Sequence, residues 1–447
     1  MPRMPFASHP LGRRRFLLLS AATAAAPLLH PTLRLARAAA DPVRIVLSNG
    51  LTVLIEERRS ADTVAMQLTA RAGARDDDRP GITIMTSRMM FQGTGQYASE
   101  TELQRAAQAV GGTVSRGTTL ENSQFAALVP ARETEVAFDL LASLVLDPLF
   151  DADALERQKL ITLQDLSERL GSAGSYAEDL FNAALFGSHP LSHPVIGTED
   201  GIEGITRVDL LRTRDRQWGA ANLVLTIVGR IGVDEALAKA ETYLGSLPAG
   251  VRNDRPATPL APLPASQTVT GVVGQQQAQF RVGFAAPGIQ DPDRYAMVVL
   301  TATMNGFNGH LLRELRSERG LVYFAGASNP TYSDAGAWYA TAGVDPQNVP
   351  EALSIVGDIL RAARVTPPHP AEVAGIAGEV AGRQILADET NSARAGRLAS
   401  REILGSDSTE EFVRRMRQVT PADVQRVAER YLDPDKALVV IVGPDLR

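Results

Sequence analysis

Apolar positions follow two spacings along this chain, one typical of helices and one typical of strands. Stretches such as 103–110 and 349–363 have helical spacing, whereas residues 44–56 and 280–285 form apolar runs typical of strands. Separate helical and extended segments of this kind predict an α+β sandwich, in which helices pack on mainly antiparallel sheets.

The pattern also repeats. Residues 206–229 and 420–443 align without a gap, and each copy predicts a capped helix, a turn and an apolar strand that stops at a glycine. A shorter pair, 73–79 (GARDDDR) and 288–294 (GIQDPDR), recurs at nearly the same separation. Two matches at one separation predict a duplicated domain of about 210 residues.

The predicted junction between the copies is the segment 246–265, which contains five prolines in twenty positions. Such a composition is typical of a flexible linker that is semi-rigid where the prolines cluster. The sequence therefore predicts a first domain at 41–245 and a second at 266–447, each large enough to bury a core.

Residues 1–40 have the layout of a secretory signal peptide. Arg13, Arg14 and Arg15 precede an apolar stretch, and small residues follow it. The spelling R-R-x-F-L resembles the twin-arginine type, which exports folded proteins. A basic amphipathic helix or an uncleaved anchor is the alternative, although the apolar run is shorter than the roughly 20 residues that span a bilayer. We therefore predict that residues 1–40 are removed and that the protein is periplasmic.

The composition excludes several kinds of site and partner. The chain is 44% apolar and 21% charged, as globular proteins are, and it lacks cysteine, which excludes disulfides, thiolate zinc sites and cysteine nucleophiles. Loss of residues 1–40 removes six arginines and no acid, which lowers the formal charge from −6 to −12. We expect no nucleic-acid partner and no stable membrane insertion. The acidic run at 76–78 is typical of a solvated turn.

Five segments carry a resemblance to a known family: 81–94 (GITIMTSRMMFQGT), 111–125 (GGTVSRGTTLENSQF), 186–198 (FGSHPLSHPVIGT), 222–229 and 311–323 (LLRELRSERGLVY). With the duplication they span nearly all of residues 41–447. The chain resembles the pitrilysin/insulinase zinc peptidases, in the two-domain branch that includes the mitochondrial processing peptidase subunits. The resemblance implies two homologous α+β domains with the LuxS/M16 metallopeptidase-like fold.

Active relatives carry H-x-x-E-H in the first segment, where two histidines one helical turn apart bind Zn²⁺ and the glutamate is the general base. Alignment on residues 89–94 places Ile84, Ser87 and Arg88 at those positions. Ile84 has no lone pair, Ser87 is a weak base, and Arg88 stays protonated and repels a cation. The resemblance therefore implies that this chain has a degenerate motif and binds no metal.

The third zinc ligand of active relatives is a glutamate on a later helix. Its place here falls on Gln164 or Asp165, depending on a one-residue choice of register, and an earlier acid of that helix falls on Arg157 or Gln158. A single carboxylate cannot hold zinc.

Two histidines offer a second possible metal site. His189 and His193 are spaced as on one helical face, but Pro190 and Pro194 exclude a helix there. We expect the structural loop that the family has at this place.

Arg316 and Tyr323 lie on a predicted helix at 311–319, which Gly320 ends, and on the strand that follows. They match an Arg/Tyr pair of the family that orients the substrate backbone and stabilises the tetrahedral intermediate, since both side chains can donate to an oxyanion. A solvated arginine and a core tyrosine are the alternative.

A chain that lacks zinc ligands but keeps this pair resembles one partner of heterodimeric members. The resemblance implies a subunit, inactive alone, that binds unfolded peptide and supplies Arg316 and Tyr323 to a zinc site on a homologous subunit with an intact H-x-x-E-H. The alternative is a peptide-binding or scaffold protein without a catalytic role. The edge strand departs from the family's usual Asn-Ala at Ser115 and Arg116.

Overall fold

The computed structural model describes residues 42–258, 260, 263–306 and 309–444, so the predicted signal peptide lies outside the described residues. The strands are β1 (Val43–Val46), β2 (Thr52–Glu57), β3 (Thr63–Ala70), β4 (Thr113–Thr118), β5 (Ser123–Pro130), β6 (Leu223–Gly229), β7 (Gln267–Val272), β8 (Ala278–Ala286), β9 (Val322–Ser328), β10 (Gly336–Val344) and β11 (Leu438–Gly443). The helices are α1 (Ile82–Met90), α2 (Glu100–Ala109), α3 (Thr134–Leu146), α4 (Ala152–Gly171), α5 (Ala173–Phe186), α6 (Glu199–Glu203), α7 (Arg207–Gln217), α8 (Val233–Leu244), α9 (Asp293–Met304), α10 (His310–Leu312), α11 (Val349–Val365), α12 (Pro370–Ala387), α13 (Asn391–Leu404), α14 (Thr409–Met416) and α15 (Pro421–Tyr431).

The strands form two mainly antiparallel sheets, which confirms the predicted α+β class. The first sheet has the order β1-β2-β6-β3-β5-β4 and the second the order β7-β11-β8-β10-β9. In each sheet the last strand of the half pairs in parallel with one neighbour and antiparallel with the other: β6 with β2 and β3, and β11 with β7 and β8.

The two sequence repeats fold alike. Thr206 caps α7, where its side chain accepts from the N–H of Asp209 and the Asp209 carboxylate accepts from the N–H of Thr206. Thr420 and Asp423 form the same capping box at α15. Each box satisfies two N–H groups that a helix start leaves unpaired, and each repeat then continues into β6 or β11.

Both faces of each sheet are covered, and one cover comes from the opposite half of the chain. α5 lies on β7, β8 and β11, where Phe181 shares a buried cluster with Val440. α13 lies on β3 and β6, where Leu398 shares a buried cluster with Val224 and Val228. Every residue of β6 is buried, as expected for a strand with two covered faces.

Ion pairs hold α13 against the first half. Glu402 binds Arg71 at 3.0 Å and Arg44 at 2.9 Å, and Arg394 binds the buried Glu56 at 2.7 Å. The hydrogen bond from Arg44 and the charges of both arginines lower the pKa of Glu402, against the effect of burial. The carboxylates on both sides of this contact are therefore paired rather than left as isolated buried charges.

The described part of the predicted linker is tied to the rest of the molecule. Asn253 donates to the carbonyl of Arg71 at 2.9 Å, and Arg255 donates to the carbonyl of Glu121 at 2.8 Å. The N–H of Thr258 donates to Asp334 at 3.0 Å. Hydrogen bonds to both halves thus hold the chain between them, although its composition predicts a flexible segment.

Two elements differ from the predictions. The predicted strand at 44–56 is a hairpin of β1 and β2, because the chain turns at Gly50, whose φ of +93° favours glycine. The predicted helix at 311–319 begins as α10 and continues as a π-helix over Arg313–Glu318. Gly320, with φ +66°, ends it as predicted.

Within the described ranges, no helix combines the length and the apolar character that crossing a membrane requires.

Candidate functional site

The helix with the degenerate motif, α1, starts at a buried turn. Gly81 precedes it in the left-handed region at φ +93°. The Asp77 carboxylate accepts from the N–H groups of Gly81 at 2.8 Å and Thr83 at 3.2 Å, and so caps the first turn. The prediction of a solvated turn at 76–78 is therefore wrong for Asp77, which is buried because it serves the helix start. Burial raises the pKa of Asp77 to about 7, against the effect of these hydrogen bonds.

The three motif positions share one face of α1, since residues three and four apart on a helix are neighbours. Ile84 is half-buried and the Arg88 side chain is 12% exposed. Ser87 is 1% exposed, and its Oγ has no hydrogen-bond partner in the described part of the chain. The side chains at the three motif positions are thus partly or fully enclosed rather than directed into open solvent.

Arg88 reaches across to α4. Its Nη1 donates to Thr162 Oγ1 at 2.8 Å and lies 2.8 Å from Asp165 Oδ2. Gln164 is exposed and donates instead to Glu168 on its own helix at 3.0 Å. The structure therefore brings Arg88 and Asp165 together and leaves Gln164 outside the site.

The earlier position on α4 is Gln158, which is buried and precedes Asp165 by seven residues on the same face. Arg157 is exposed. Where active relatives have a second acid on this helix, the side chain that lies inside is therefore a neutral amide.

Arg116 joins this site from β4, a contact that sequence reasoning missed. Its guanidinium carbon lies 5.8 Å from the ring centroid of Phe91, the residue after α1. Burial and the nearby charge of Arg88 lower the pKa of Arg116. The signal available in the sequence was the unusual Ser115-Arg116 pair, which indicated a changed edge strand but not its distance from Arg88.

The residues at this place do not fit a zinc ion. Arg88, where the resemblance places the second histidine, pairs with Asp165, one of the two candidates for the third ligand position. Two guanidinium groups near one another repel a divalent cation. Across 42–258, 260, 263–306 and 309–444, no group of three or more His, Asp or Glu is placed to hold a metal.

Arg316 and Tyr323 lie together in the second half. The π-helix presents Arg316 and the adjoining strand β9 presents Tyr323, with the guanidinium carbon 5.0 Å from the ring centroid. Tyr323 is 82% exposed, and neither side chain hydrogen-bonds to any residue that the structure describes. The contact is therefore an exposed cation–π pair with its donors free. No ion pair or hydrogen bond between described residues joins it to Arg88 or Asp165.

His189 and His193 have structural contacts. His189 Nδ1 accepts from the N–H of Leu191 at 3.1 Å, which assigns the proton to Nε2, 3.1 Å from the carbonyl of Thr258. His193 Nδ1 lies 3.1 Å from the carbonyl of Ala74. Both rings fix loops between α5, the linker and the turn before α1, as a structural loop requires.

Comparison with known proteins shows which family profiles the chain matches. The sequence profile described as "Insulinase (Peptidase family M16)" matches residues 52–199, and the profile described as "Peptidase M16 inactive domain" matches residues 204–377. Together they cover most of the chain, and the first contains the degenerate motif while the second contains Arg316 and Tyr323.

The chain is also similar to bacterial proteins along most of their length. An uncharacterized zinc protease of Mycobacterium tuberculosis is 28% identical over 91% of this chain and 94% of its own length. One of Streptomyces coelicolor is 26% identical over 90% of this chain and 89% of its own length.

Solved structures share the fold. A crystal structure described as a peptidase M16 inactive domain from Pseudomonas fluorescens superposes with a TM-score of 0.82 at 22% identity, over 90% of this chain and 98% of that one. A protease from Helicobacter pylori superposes with a TM-score of 0.83 at 18% identity, over 90% of this chain and 100% of that one. The matching profiles, relatives and folds, taken with the two-sheet architecture, show that the chain belongs to the insulinase family of peptidases, family M16.

Proposed function

We propose that this chain is a non-catalytic subunit of a heterodimeric M16 peptidase. It binds unfolded peptide and supplies Arg316 and Tyr323 to a zinc site on a homologous subunit that has an intact H-x-x-E-H. The observation that carries the proposal is that the zinc position holds the Arg88–Asp165 ion pair, while the Arg/Tyr pair is exposed and its donors are unoccupied by described residues.

The chemistry of the pair supports this role. A guanidinium is always charged and carries several N–H donors, and a phenol adds one O–H donor. Donors placed where charge develops on a peptide carbonyl stabilise the transition state of its hydrolysis. An exposed pair on a π-helix and an edge strand can meet a substrate held by a second subunit, because no layer of this chain's described residues covers Tyr323.

The first half does not supply the remaining chemistry. Ser87 stands where a general base is needed, and Arg88 is cationic where a metal ligand is needed. Zinc and the general base therefore come from the partner subunit in this proposal, and the single chain is inactive alone.

The location follows from the sequence of residues 1–40. With its basic cluster, apolar stretch and small residues, this segment supports export to the periplasm by the twin-arginine route. A subunit exported in folded form can leave the cytoplasm already bound to its partner.

The test is co-expression with a homologous subunit that has the intact motif, followed by zinc analysis and a peptide cleavage assay. Arg316→Ala and Tyr323→Phe should each lower turnover on the order of 100-fold without loss of the complex or of its zinc. Arg319→Ala, an exposed arginine at the end of the same helix, is the matched control and should keep full activity.

Cleavage at the full rate by both variants would overturn the shared site and favour a scaffold that binds peptide without acting on it. Zinc bound stoichiometrically by the single chain, with hydrolysis to match, would overturn the loss of its own site.

A further inference from the structure

Arg116 is a half-buried cation without a counter-ion among the residues that the structure describes. Its guanidinium lies over Phe91, and the charge of Arg88 also acts on it. Two carboxylates, Glu100 and Asp165, act on it through space and form no ion pair or hydrogen bond with it among the described residues. Burial and a neighbouring like charge both cost free energy, which a bound anion would recover.

The helix α1, which packs against β4, carries polar atoms without hydrogen-bond partners among the described residues. The Nε of Arg88 is buried and has no acceptor within the described ranges, and the Oγ of Ser87 has no partner there either. Ser87 is 1% exposed. Buried polar atoms are paired in most proteins, so two unpaired atoms on one face of α1 indicate a site that a ligand completes.

The strand that carries Arg116 lies at the edge of the first sheet. β4 pairs with β5 alone among the described strands, from Thr113 opposite Leu128 to Thr118 opposite Ser123. Alternate N–H and C=O groups of β4 therefore point away from the sheet, and an extended chain can pair with them. Arg116 shares its face of β4 with the buried Val114, which places its side chain on the α1 side of that edge.

We propose that Arg88 and Arg116 bind a carboxylate of an extended peptide that pairs with the open edge of β4. Arg88 on α1 and Arg116 on β4 are far apart in sequence, and the fold packs this helix against this strand, with Arg116 over Phe91 at the end of α1.

The local charge favours a monoanion. Asp165 already pairs with Arg88 at 2.8 Å, and Glu100 accepts from Gln92 at 2.7 Å beside the site. These carboxylates offset part of the arginine charge, so that a peptide carboxylate suits the site better than a phosphate of higher charge. The fork of Arg116, which is free of described partners, can bind a carboxylate through two hydrogen bonds.

This inference rests on the peptide binding in the proposed function, but it needs neither zinc nor the partner subunit, so its failure is distinguishable from failure of the shared zinc site. It is tested on the purified single chain by calorimetric titration with an alanine- and serine-rich decapeptide that contains one glutamate. The matched peptides carry glutamine instead, and each is made with a free and an amidated C-terminus. Loss of binding on the glutamine change assigns the site to a side-chain carboxylate, and loss on amidation assigns it to the chain end.

Arg116→Ala should weaken binding of the preferred peptide about tenfold or more and leave the uncharged peptide unaffected. Arg105→Ala, an exposed arginine on the neighbouring helix α2, is the control and should change neither. Because Arg88 is more enclosed, Arg88→Met can disturb folding. Peptide binding by this variant is therefore interpreted only together with a thermal melt that shows a folded protein.

Equal binding of charged and uncharged peptides by the wild-type chain would overturn the proposal, as would unchanged binding by folded Arg116→Ala. Inorganic phosphate that displaces the peptide at equal concentration, with no peptide preference, would show a general anion site and overturn the peptide assignment.

Discussion

Asp77 shows how the start of one helix depends on a buried carboxyl group. Its oxygens cap α1 at Gly81 and Thr83, while burial raises its pKa to about 7. A carboxyl group whose pKa is higher in the folded than in the unfolded protein stabilises the fold below its unfolded pKa of about 3.9 and loses that contribution as pH rises through the folded value.

We expect the free energy of unfolding to fall between about pH 4 and pH 7 by ~1–4 kcal/mol on account of this group. Asp77→Asn is neutral at every pH and should remove that part of the slope. Urea unfolding at several pH values measures it, with Asp78→Asn, an exposed neighbour, as the control that keeps the wild-type slope. Parallel profiles for wild type and Asp77→Asn would show that Asp77 does not titrate in this range.

For single residues, the sequence predicts which residue types stand at the motif positions better than it predicts which side chains contact one another. The departures from the zinc motif at Ile84, Ser87 and Arg88 follow from its fixed helical spacing, so the sequence alone predicts them. The approach of Arg116 to Arg88 could not, because it depends on how β4 packs against α1. Likewise, Asp77 resembles the partly buried Asp76 and the exposed Asp78 in sequence, and it differs from them only in what the fold places around it.

Among the elements, α5 has a tight fit to the sheet of the other half. A methyl group at Gly283 of β8 would lie 2.5 Å from Phe181 Cζ and 2.5 Å from the carbonyl oxygen of Trp338. Both distances are shorter than van der Waals contact, and the second neighbour is backbone that cannot turn aside. A glycine is therefore needed where the helix approaches the strand.

Gly283→Ala should lower the free energy of unfolding by ~1–3 kcal/mol through this overpacking. Gly378→Ala is the opposite case: it lies exposed in α12 with open space around a new methyl group, and it should raise stability by ~0.5–1 kcal/mol through helix propensity. Chemical denaturation of both variants measures the difference. A neutral Gly283→Ala would mean that α5 shifts on its sheet without cost.

Local signals predicted the elements that are built from local contacts. The capping boxes at Thr206 and Thr420 lie within four residues of sequence, and the glycine that ends the π-helix is visible in the same way. The exchange of α5 and α13 between sheets involves residues far apart in sequence, and helical periodicity shows only that a face is apolar, not which sheet it meets. The π-helix at 313–318 has no distinct spacing signal of its own.

For the whole molecule, Arg75 links the two halves in a buried network. It binds Glu121 of the first half at 2.7 Å and Asp334 of the second at 2.8 Å, and all three side chains are at least 95% buried. Although burial opposes its ionisation, Asp334 has a lowered pKa because Arg75 and the N–H of Thr258 bind its charged form. A lowered pKa gives stability that is present above the unfolded value and is lost in acid.

Arg75→Met should destabilise the protein by ~3–5 kcal/mol near neutral pH, because it leaves two buried carboxylates without their cation. Arg59→Met, which breaks an ion pair with Glu57 at an 80% exposed arginine, should cost no more than ~1 kcal/mol. Urea unfolding monitored by tryptophan fluorescence, with one tryptophan in each half, follows both halves together. Loss of the Trp338 signal at lower urea than the Trp218 signal would show that the halves unfold independently.

The helices α5 and α13, each packed on the sheet of the opposite half, limit how the two halves can move. If the two halves separated about residues 246–265, α5 would leave β11 and α13 would leave β6. Phe181, Leu398 and the apolar strands beneath them would then be exposed to water. We therefore expect the two halves of one chain to move together as one unit. In the proposed heterodimer, a long substrate would therefore enter by movement of one whole subunit against the other.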